Sequence, residues 1–290
     1  MNKEKKTRAF KCKTCKDWDA ENKQCKLGIL IENSSVKDTY GNPICKQHKN
    51  KQNGNLTGGY REEKERTKVW FISDLHFFHK SILFFHPKRR EHFGITLEEL
   101  QNDTVSAVNK MNEILMKEWN DTIKRGDTVY ILGDFSLGTK EETEKILNKL
   151  HGKKFLITGN HDKSLKGLER YFEDVAQIKE AKFTNNQFSF IDPEETFSVE
   201  MCHYPLLTWN RRQNGSCMIH GHCHDSVTSV NDNMMELRVD VGYDCSKWNY
   251  HFVELEELYN YFVGIRNKLG CKTFKEYTNK LIDERKGVKG

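Results

Sequence analysis

No apolar run in the 290-residue sequence approaches the roughly 20 residues needed to cross a bilayer. The mean hydropathy is −0.79 and 31% of the residues are charged, so the composition excludes a membrane-spanning protein. The basic first ten residues lead into no apolar segment of the kind found in secretory signals, and we therefore expect a cytoplasmic location. In that reducing compartment the nine cysteines are thiols or metal ligands rather than disulfides.

The sequence also has no internal repeat and no long low-complexity tract, and its charge is unevenly distributed. The net charge is +8 over residues 1–68, −8 over residues 69–263 and +5 over residues 264–290. Basic ends suit a polyanionic partner such as nucleic acid, although lysine-rich ends are also found as solvated surfaces that aid solubility. The acidic middle segment is consistent with a metal site that contains carboxylates.

Four segments differ in composition. Residues 1–52 concentrate four cysteines among lysines and are predicted to form a small Cys-rich module. Residues 53–67 are polar and glycine-rich, as is typical of a linker. Residues 68–255 carry the apolar runs of a folded domain with a substantial core, and residues 256–290 are predicted to form terminal helices.

The spacing of the first four cysteines predicts a structural zinc site in the amino-terminal module. The proposed ligands are Cys12, Cys15, Cys25 and Cys45, with His48 as an alternative to Cys45. Tetrahedral Zn²⁺ stabilises segments that are too small to fold by apolar burial alone. Four free or redox-active thiols are the alternative. With zinc bound, the lysines and Trp18 present a basic surface suited to single-stranded nucleic acid or to a partner protein.

Short apolar runs that end in turn residues recur after residue 68 and predict buried strands. They cover residues 69–73, 128–132, 155–158, 199–203 and 217–220. Helices are predicted over residues 97–123, with Thr96 and Glu99 as a capping box and Val105 on the inner face, and over residues 140–150. The order strand, helix, strand, helix, strand predicts a layered α/β fold. Because few helices separate the later strands, we expect two stacked mixed sheets flanked by helices.

Side chains that bind metals follow five of these predicted strands directly. Because the carboxyl ends of strands gather ligand-binding groups in open α/β sheets, distant residues can converge there. The set mixes carboxylate, amide and imidazole groups, which suits Mn²⁺, Fe²⁺ or Zn²⁺ better than Ca²⁺. Two such cations can activate a water and hold both oxygens of a phosphoryl centre. The five clusters are Asp74 with His76; Asp134; Asn160 with His161 and Asp162; His203; and His222 with His224.

In this order the motifs D-x-H, G-D, G-N-H-D, H and G-H-x-H resemble the calcineurin-like metallophosphoesterase superfamily over residues 68–255. Neighbouring segments such as FISDLHFFHKSIL and VDVGYDCSKWNYHFVEL are similar to a small bacterial and phage branch. The resemblance implies two divalent cations: manganese, iron, zinc or nickel. It implies that the first is held by Asp74, His76, Asp134 and His224, and the second by Asp134, Asn160, His203 and His222.

The resemblance further implies a phosphoesterase in which metal-bound hydroxide attacks in line, without a covalent enzyme intermediate. His161 would stabilise the transition state or protonate the leaving oxygen. His79 is a further candidate for contact with substrate phosphate, or an ordinary surface histidine. His220 is interpreted as a hydrogen-bonded supporting residue rather than a ligand.

Departures from the family pattern favour a phosphodiester, nucleotide or nucleic-acid substrate. Gly133-Asp134 is followed by Phe-Ser-Leu-Gly, whereas protein serine/threonine phosphatases of the superfamily carry an acidic residue and an arginine in this loop. The third cluster ends in Asp162 where theirs ends in glutamate. A phosphomonoesterase remains an alternative, as does a non-catalytic binding or scaffold protein on the same fold.

Overall fold

The computed structural model describes residues 18–19, 24–25, 67–229, 231 and 236–287. The chain separates into two compact units, Met1–Arg66 and Thr67–Gly290. In the first unit, strands β1 (Trp18–Asp19) and β2 (Gln24–Cys25) pair antiparallel. The predicted zinc site falls on side chains outside the described residues and stays a prediction.

The first sheet of the second unit has five strands in the order β11-β3-β4-β5-β6. Its four parallel strands follow the chain order, and β11 adds an antiparallel edge. The bounds are β3 Val69–Ile72, β4 Thr128–Ile131, β5 Lys153–Ile157, β6 Asp174–Ala176 and β11 Val253–Glu254.

The second sheet has four strands in the order β10-β9-β8-β7. Three of them are parallel and β7 is antiparallel to β8. The bounds are β7 Ile178–Thr184, β8 Thr196–Cys202, β9 Cys217–His220 and β10 Arg238–Asp240. Both sheets are therefore mixed, which confirms the predicted α/β fold.

Alternation along β3 explains how the layers assemble. Val69 and Phe71 face a core shared with the second sheet, where they join Phe197 and Val199. The intervening residue Trp70 faces the opposite core, which is filled from helices. Successive side chains of a strand point to opposite faces, so the first sheet lies between the second sheet and a helical layer.

The helices pack on the sheets, and the side chains of Thr96, Asp103 and Thr139 cap three of them. Within the described residues, no helix is both long and apolar enough to span a bilayer. Their bounds are α1 Ile82–Phe85, α2 Pro87–His92, α3 Leu97–Asn102, α4 Thr104–Thr122, α5 Lys140–Leu147, α6 Leu255–Asn267 and α7 Phe274–Gly287.

The prediction of one helix over residues 97–123 is wrong, because the helix breaks at Asp103. This residue adopts φ −146° and ψ 84°, and its carboxylate accepts the Ser106 amide to cap α4. Aspartate competes for backbone amides in this way and therefore favours caps over helix interiors. Val105, predicted to face inward, is 57% exposed. The capping box of Thr96 and Glu99 is confirmed at the start of α3.

Other predicted boundaries hold within three residues. The strand at residues 217–220 matches β9, and β8 begins three residues before its predicted start. Helix α5 ends at Leu147 instead of residue 150, because its last turn tightens: the Lys149 amide bonds to the Ile146 carbonyl, three residues back.

Candidate metal centre

The side chains predicted to bind metals lie at the carboxyl ends of five strands, and sharp backbone turns aim them at one another. Five of these residues have positive φ, a conformation that is uncommon outside glycine and that clusters at functional sites. The angles are 59° at Asp74, 51° at His76, 52° at Asp134, 70° at His222 and 44° at His224. Where the two sheets meet at this edge, Ser73 pairs with Gly242.

Asp74, His76 and His224 form one group whose ligand atoms lie within 4.8 Å of one another. The two Nε2 atoms are 3.2 Å apart, and each lies 3.8 Å from Asp74 Oδ1. This carboxylate oxygen is buried without a hydrogen-bond partner among the described residues. A buried carboxylate oxygen facing two imidazole nitrogens fits a divalent cation, which would satisfy all three atoms.

Asp74, Asp134 and His203 form a second group with ligand atoms at similar separations. His203 Nδ1 lies 2.7 Å from the Leu132 carbonyl oxygen, and since a carbonyl can only accept, Nδ1 donates. In the neutral ring Nε2 then carries a lone pair. It faces Asp134 Oδ1 at 3.5 Å and Asn160 Oδ1 at 3.1 Å. Three electron-rich atoms that converge in this way fit a second cation.

Asp134 lies between the two groups. Its Oδ1 is the oxygen near His203, whereas Oδ2 is 3.7 Å from His76 Nε2. The carboxylate is buried, with the residue 2% exposed, and Oδ1 also accepts the backbone amide of His161 at 2.9 Å. One carboxylate thus faces imidazoles of both groups, which is the geometry expected of a bridging ligand.

The remaining predicted residues lie around this pair of groups. The His222 amide donates to Asp74 Oδ2 at 2.9 Å, and its exposed ring lies 5.0 Å from that of His203. His161 is half-exposed, with Nε2 4.0 Å from Asp134 Oδ2. The His79 ring lies 5.0 Å from the His76 ring. His220 is fully buried and hydrogen-bonded to Gly221 and Asn231, as its supporting interpretation requires.

Burial governs the electrostatics of the site. It raises the pKa of Asp74, an effect that nearby histidines oppose. Burial, reinforced by Arg89 and His224, lowers the pKa of His76 well below its usual value. Burial also lowers the pKa of His79 to about 4. Neutral imidazoles keep the lone pair that metal coordination requires, and a cation would compensate the cost of a buried carboxylate.

Sequence reasoning missed three residues that support the site: His86, Arg89 and Asp244. The His86 ring lies 4.7 Å from the His224 ring. Arg89 Nη1 lies 2.9 Å from Asp244 Oδ2, which in turn lies 2.9 Å from His224 Nδ1. Asp244 follows a strand end as the ligands do, a signal that could have been used. Nothing in the sequence distinguishes Arg89 from its basic neighbours.

Comparison with known proteins shows the family to which the second unit belongs. The family model described as calcineurin-like phosphoesterase matches residues 67–264. The chain belongs to this family. Calcineurin-like phosphoesterases are metal-dependent, so membership indicates a phosphoester hydrolase that binds divalent metals, in agreement with the two groups of ligand atoms.

Relatives of this calcineurin-like phosphoesterase include phage proteins, as the sequence motifs predicted. The Gene 66 protein of Mycobacterium phage L5 is 26% identical over 71% of this chain and all of its own length. An uncharacterised protein of Methanocaldococcus jannaschii is 34% identical over 60% of this chain and 81% of its own length. A crystal structure of a protein of unknown function from Aquifex aeolicus has a TM-score of 0.48 and 22% identity. That similarity covers 67% of this chain and 99% of the other.

Proposed function

We propose that the protein is a dinuclear metal-dependent phosphodiesterase or nuclease that acts on nucleotides or nucleic acid. The observation that carries this proposal is the position of Asp134, whose two carboxylate oxygens face histidines of different groups. A shared carboxylate is the simplest way to hold two cations close enough to act on one phosphoryl centre.

In this proposal each group holds one cation. When bound, the two divalent cations supply an acidified water and neutralise charge on the phosphoryl oxygens. Asp134 belongs to both sets. The first set is completed by Asp74, His76 and His224, and the second by Asn160, His203 and His222.

Two further histidines act on the substrate. His161 carries a half-exposed ring beside Asp134, where it can donate a proton to the leaving oxygen. The half-buried His79 has a buried Nδ1 without a hydrogen-bond partner among the described residues. Burial lowers the pKa of His79 to about 4, so in the free protein the ring is neutral and can offer an N–H to a phosphate oxygen.

The loop after Asp134 supports a diester over a phosphoprotein substrate. Phe135 is fully buried against Phe77, with ring centroids 5.2 Å apart. The Ser136 hydroxyl is paired with Thr143 Oγ1 at 2.8 Å. This loop contains no arginine that could bind the dianion of a phosphate monoester. A phosphodiester carries one negative charge fewer and has less need of such a residue.

Tyr204 supports a nucleotide in particular. It follows His203 directly, is 44% exposed, and its ring lies 4.8 Å from the His222 ring. An exposed aromatic ring beside the reacting phosphate offers a stacking surface for a base, worth about 1–3 kcal/mol by alanine substitution. Tyr204→Leu should therefore slow hydrolysis of thymidine 5′-p-nitrophenyl phosphate more than that of bis-p-nitrophenyl phosphate, whereas Tyr204→Phe should preserve the ratio.

The experiment that tests the function compares Mn²⁺-dependent hydrolysis of bis-p-nitrophenyl phosphate and p-nitrophenyl phosphate. We expect faster turnover of the diester and none with Asp134→Asn. Faster turnover of the monoester would identify a phosphomonoesterase. Binding of two Mn²⁺ by the wild type without hydrolysis of either ester would contradict catalysis and favour a binding protein.

A basic amino-terminal module remains part of this proposal as a nucleic-acid or protein contact. Its proposed zinc ligands are Cys12, Cys15, Cys25 and Cys45, with His48 as the alternative to Cys45. Charge reversal at Lys11, Lys13 and Lys16 should abolish binding of single-stranded nucleic acid, and unchanged affinity would discard the contact.

A further inference from the structure

A completely buried arginine lies directly behind the first group of ligands. Arg89, on α2, is 0% exposed. Its guanidinium donates to the backbone carbonyls of Asp74, at 3.0 Å, and Leu75. These two peptide groups form the turn that brings Asp74 and His76 together, both with positive φ. The planar guanidinium fixes several acceptors at once, which a lysine ammonium does not do in the same geometry.

The same guanidinium is linked to His224 through Asp244. Nη1 donates to Asp244 Oδ2 at 2.9 Å, and this oxygen lies 2.9 Å from His224 Nδ1. A carboxylate can only accept, so Nδ1 of His224 carries the proton. In the neutral ring the other nitrogen, Nε2, then presents its lone pair toward Asp74 and His76. A carboxylate that fixes the tautomer of a metal-binding histidine typically strengthens metal affinity.

His86, His224 and Asp244 also have ligand atoms within 4.8 Å of one another. In that group Asp244 Oδ2 is already shared by the Arg89 guanidinium and His224 Nδ1, and a guanidinium does not deprotonate in proteins. This oxygen therefore serves to orient His224, whereas Oδ1 is buried without a hydrogen-bond partner among the described residues.

The second group of ligands is supported differently, because Asp162 holds the loop that carries Asn160 through the Gly159 amide. His203 Nδ1 is held by a backbone carbonyl. Asn160 and His222 are exposed, and the His222 ring lies against the rings of His203 and Tyr204. Among the described residues, the pair of Arg89 and Asp244 thus supports the first of the two proposed cation positions and not the second.

We propose that Arg89 and Asp244 are positioning residues that determine the affinity of the cation position formed by Asp74, His76 and His224. Arg89 fixes the Asp74–Leu75 turn, and Asp244 fixes the tautomer and orientation of the His224 ring. This inference rests on the proposed function only for the assignment of these three residues as metal ligands.

Titration calorimetry with Mn²⁺ on the full chain tests the proposal. Asp244→Asn should weaken one of the two binding events by about 10–100-fold and leave the other unchanged. Arg89→Lys keeps the positive charge but loses the planar guanidinium with its several N–H donors. This variant should weaken the same Mn²⁺ binding event. The chain offers a matched control in the ion pair of Arg266 and Glu195, which is also buried but lies outside the site. Glu195→Gln and Arg266→Lys should keep both affinities.

A second measurement needs no variant. In the wild-type protein at alkaline pH, ¹⁵N NMR should report His224 as the Nδ1–H tautomer. The opposite tautomer would overturn the proposal, even if the variants failed to fold. Equal weakening of both Mn²⁺ events, or of neither, in folded Asp244→Asn would also overturn it.

These outcomes separate the inference from the proposed function. Selective loss of one Mn²⁺ event in Asp244→Asn, together with a wild type that hydrolyses no phosphoester, would retain the positioning role and reject the enzyme. If the wild type hydrolysed phosphoesters and its Asp244→Asn variant bound both cations normally, the enzyme would be retained and the positioning role rejected.

Discussion

The carboxylate of Asp162 accepts a hydrogen bond from the backbone N–H of Asp134, with the nitrogen and oxygen 3.1 Å apart, although the two residues follow different strands. The same oxygen accepts the Gly159 amide at 2.7 Å, and the other oxygen accepts the Phe135 amide at 2.8 Å. One buried side chain therefore ties together the loops that follow β4 and β5. Asp162 thereby fixes the backbone that presents Asp134, the proposed shared ligand.

Asp162→Asn should destabilise the protein and weaken metal binding. An asparagine offers one acceptor oxygen and turns its amide toward a backbone N–H, leaving a buried donor unsatisfied. That costs about 1–3 kcal/mol of unfolding free energy, measurable by urea denaturation, and calorimetry should show weaker Mn²⁺ binding. Asp103→Asn is the control, because asparagine caps a helix as well as aspartate does. Wild-type stability in Asp162→Asn would contradict the anchoring role.

The sequence predicted where the ligands lie better than what holds them there. An apolar run followed by Asp74 or His203 is a local pattern, and the rule that strand ends converge supplies the rest. The contacts of Arg89 are not local: Asp244 is 155 residues away, and Lys88 and Arg90 flank it with the same charge. Only packing determines which of these three basic side chains is buried.

The break at Asp103 shows the same limit within secondary structure. Apolar spacing over residues 97–123 is close to helical on both sides of the break, so periodicity alone predicts one helix. The first helix ends at Asp103, whose backbone N–H donates to the Glu99 carbonyl, and the side chain of Asp103 caps the second helix. A local hydrogen bond thus outweighs a periodic pattern, and Val105 faces solvent as a result.

His161→Gln should slow the reaction in a way that depends on the leaving group. If His161 donates a proton to the leaving oxygen, the kcat of the variant should fall by about 10²–10⁴-fold on a dinucleotide, because the leaving group of this substrate is an alkoxide. Bis-p-nitrophenyl phosphate expels a stable phenolate and should lose much less. Mn²⁺ affinity should be retained. His251→Gln, which removes an exposed histidine paired with Glu257, should leave both substrates unaffected. Equal losses on the two substrates would exclude the proton-donor role.

Lys154 should make stability depend on pH in the alkaline range. Its ammonium donates to the carbonyls of Leu150 and Gly152, and burial lowers its pKa from 10.5 to about 8. Between these values the unfolded chain binds a proton that the folded chain has lost, so unfolding free energy rises with pH. Below pH 8 both states are protonated and the dependence disappears.

The measurement is the difference in unfolding free energy between wild type and Lys154→Met. This difference should shift in favour of the wild type as pH rises from about 8 to 10.5. Lys153→Met is the control, because its exposed ammonium is hydrated in the folded and unfolded chain alike. A difference that is constant with pH would show that burial does not perturb Lys154.

Gly221 precedes the ligand His222 and leaves no room for a side chain. A Cβ on it would lie 1.9 Å from Ser73 Oγ and 2.4 Å from Asp74 Oδ2. Ser73 cannot turn away freely, because its hydroxyl donates to the Leu132 carbonyl at 2.7 Å. Gly221→Ala must therefore displace Asp74, and we expect weaker Mn²⁺ binding and a loss of about 1–3 kcal/mol in stability.

Gly264→Ala provides the matched comparison, since the substitution is the same and the surroundings are open. Gly264 lies within α6, and a Cβ there would have no atom within 4 Å. Alanine in a helix interior is favoured over glycine by about 0.5–1 kcal/mol, so this variant should be slightly more stable and should bind Mn²⁺ normally. If Gly221→Ala behaved like Gly264→Ala in calorimetry and denaturation, the close approach of the G-H-x-H turn to Asp74 would be wrong, and with it the geometry of the first ligand group.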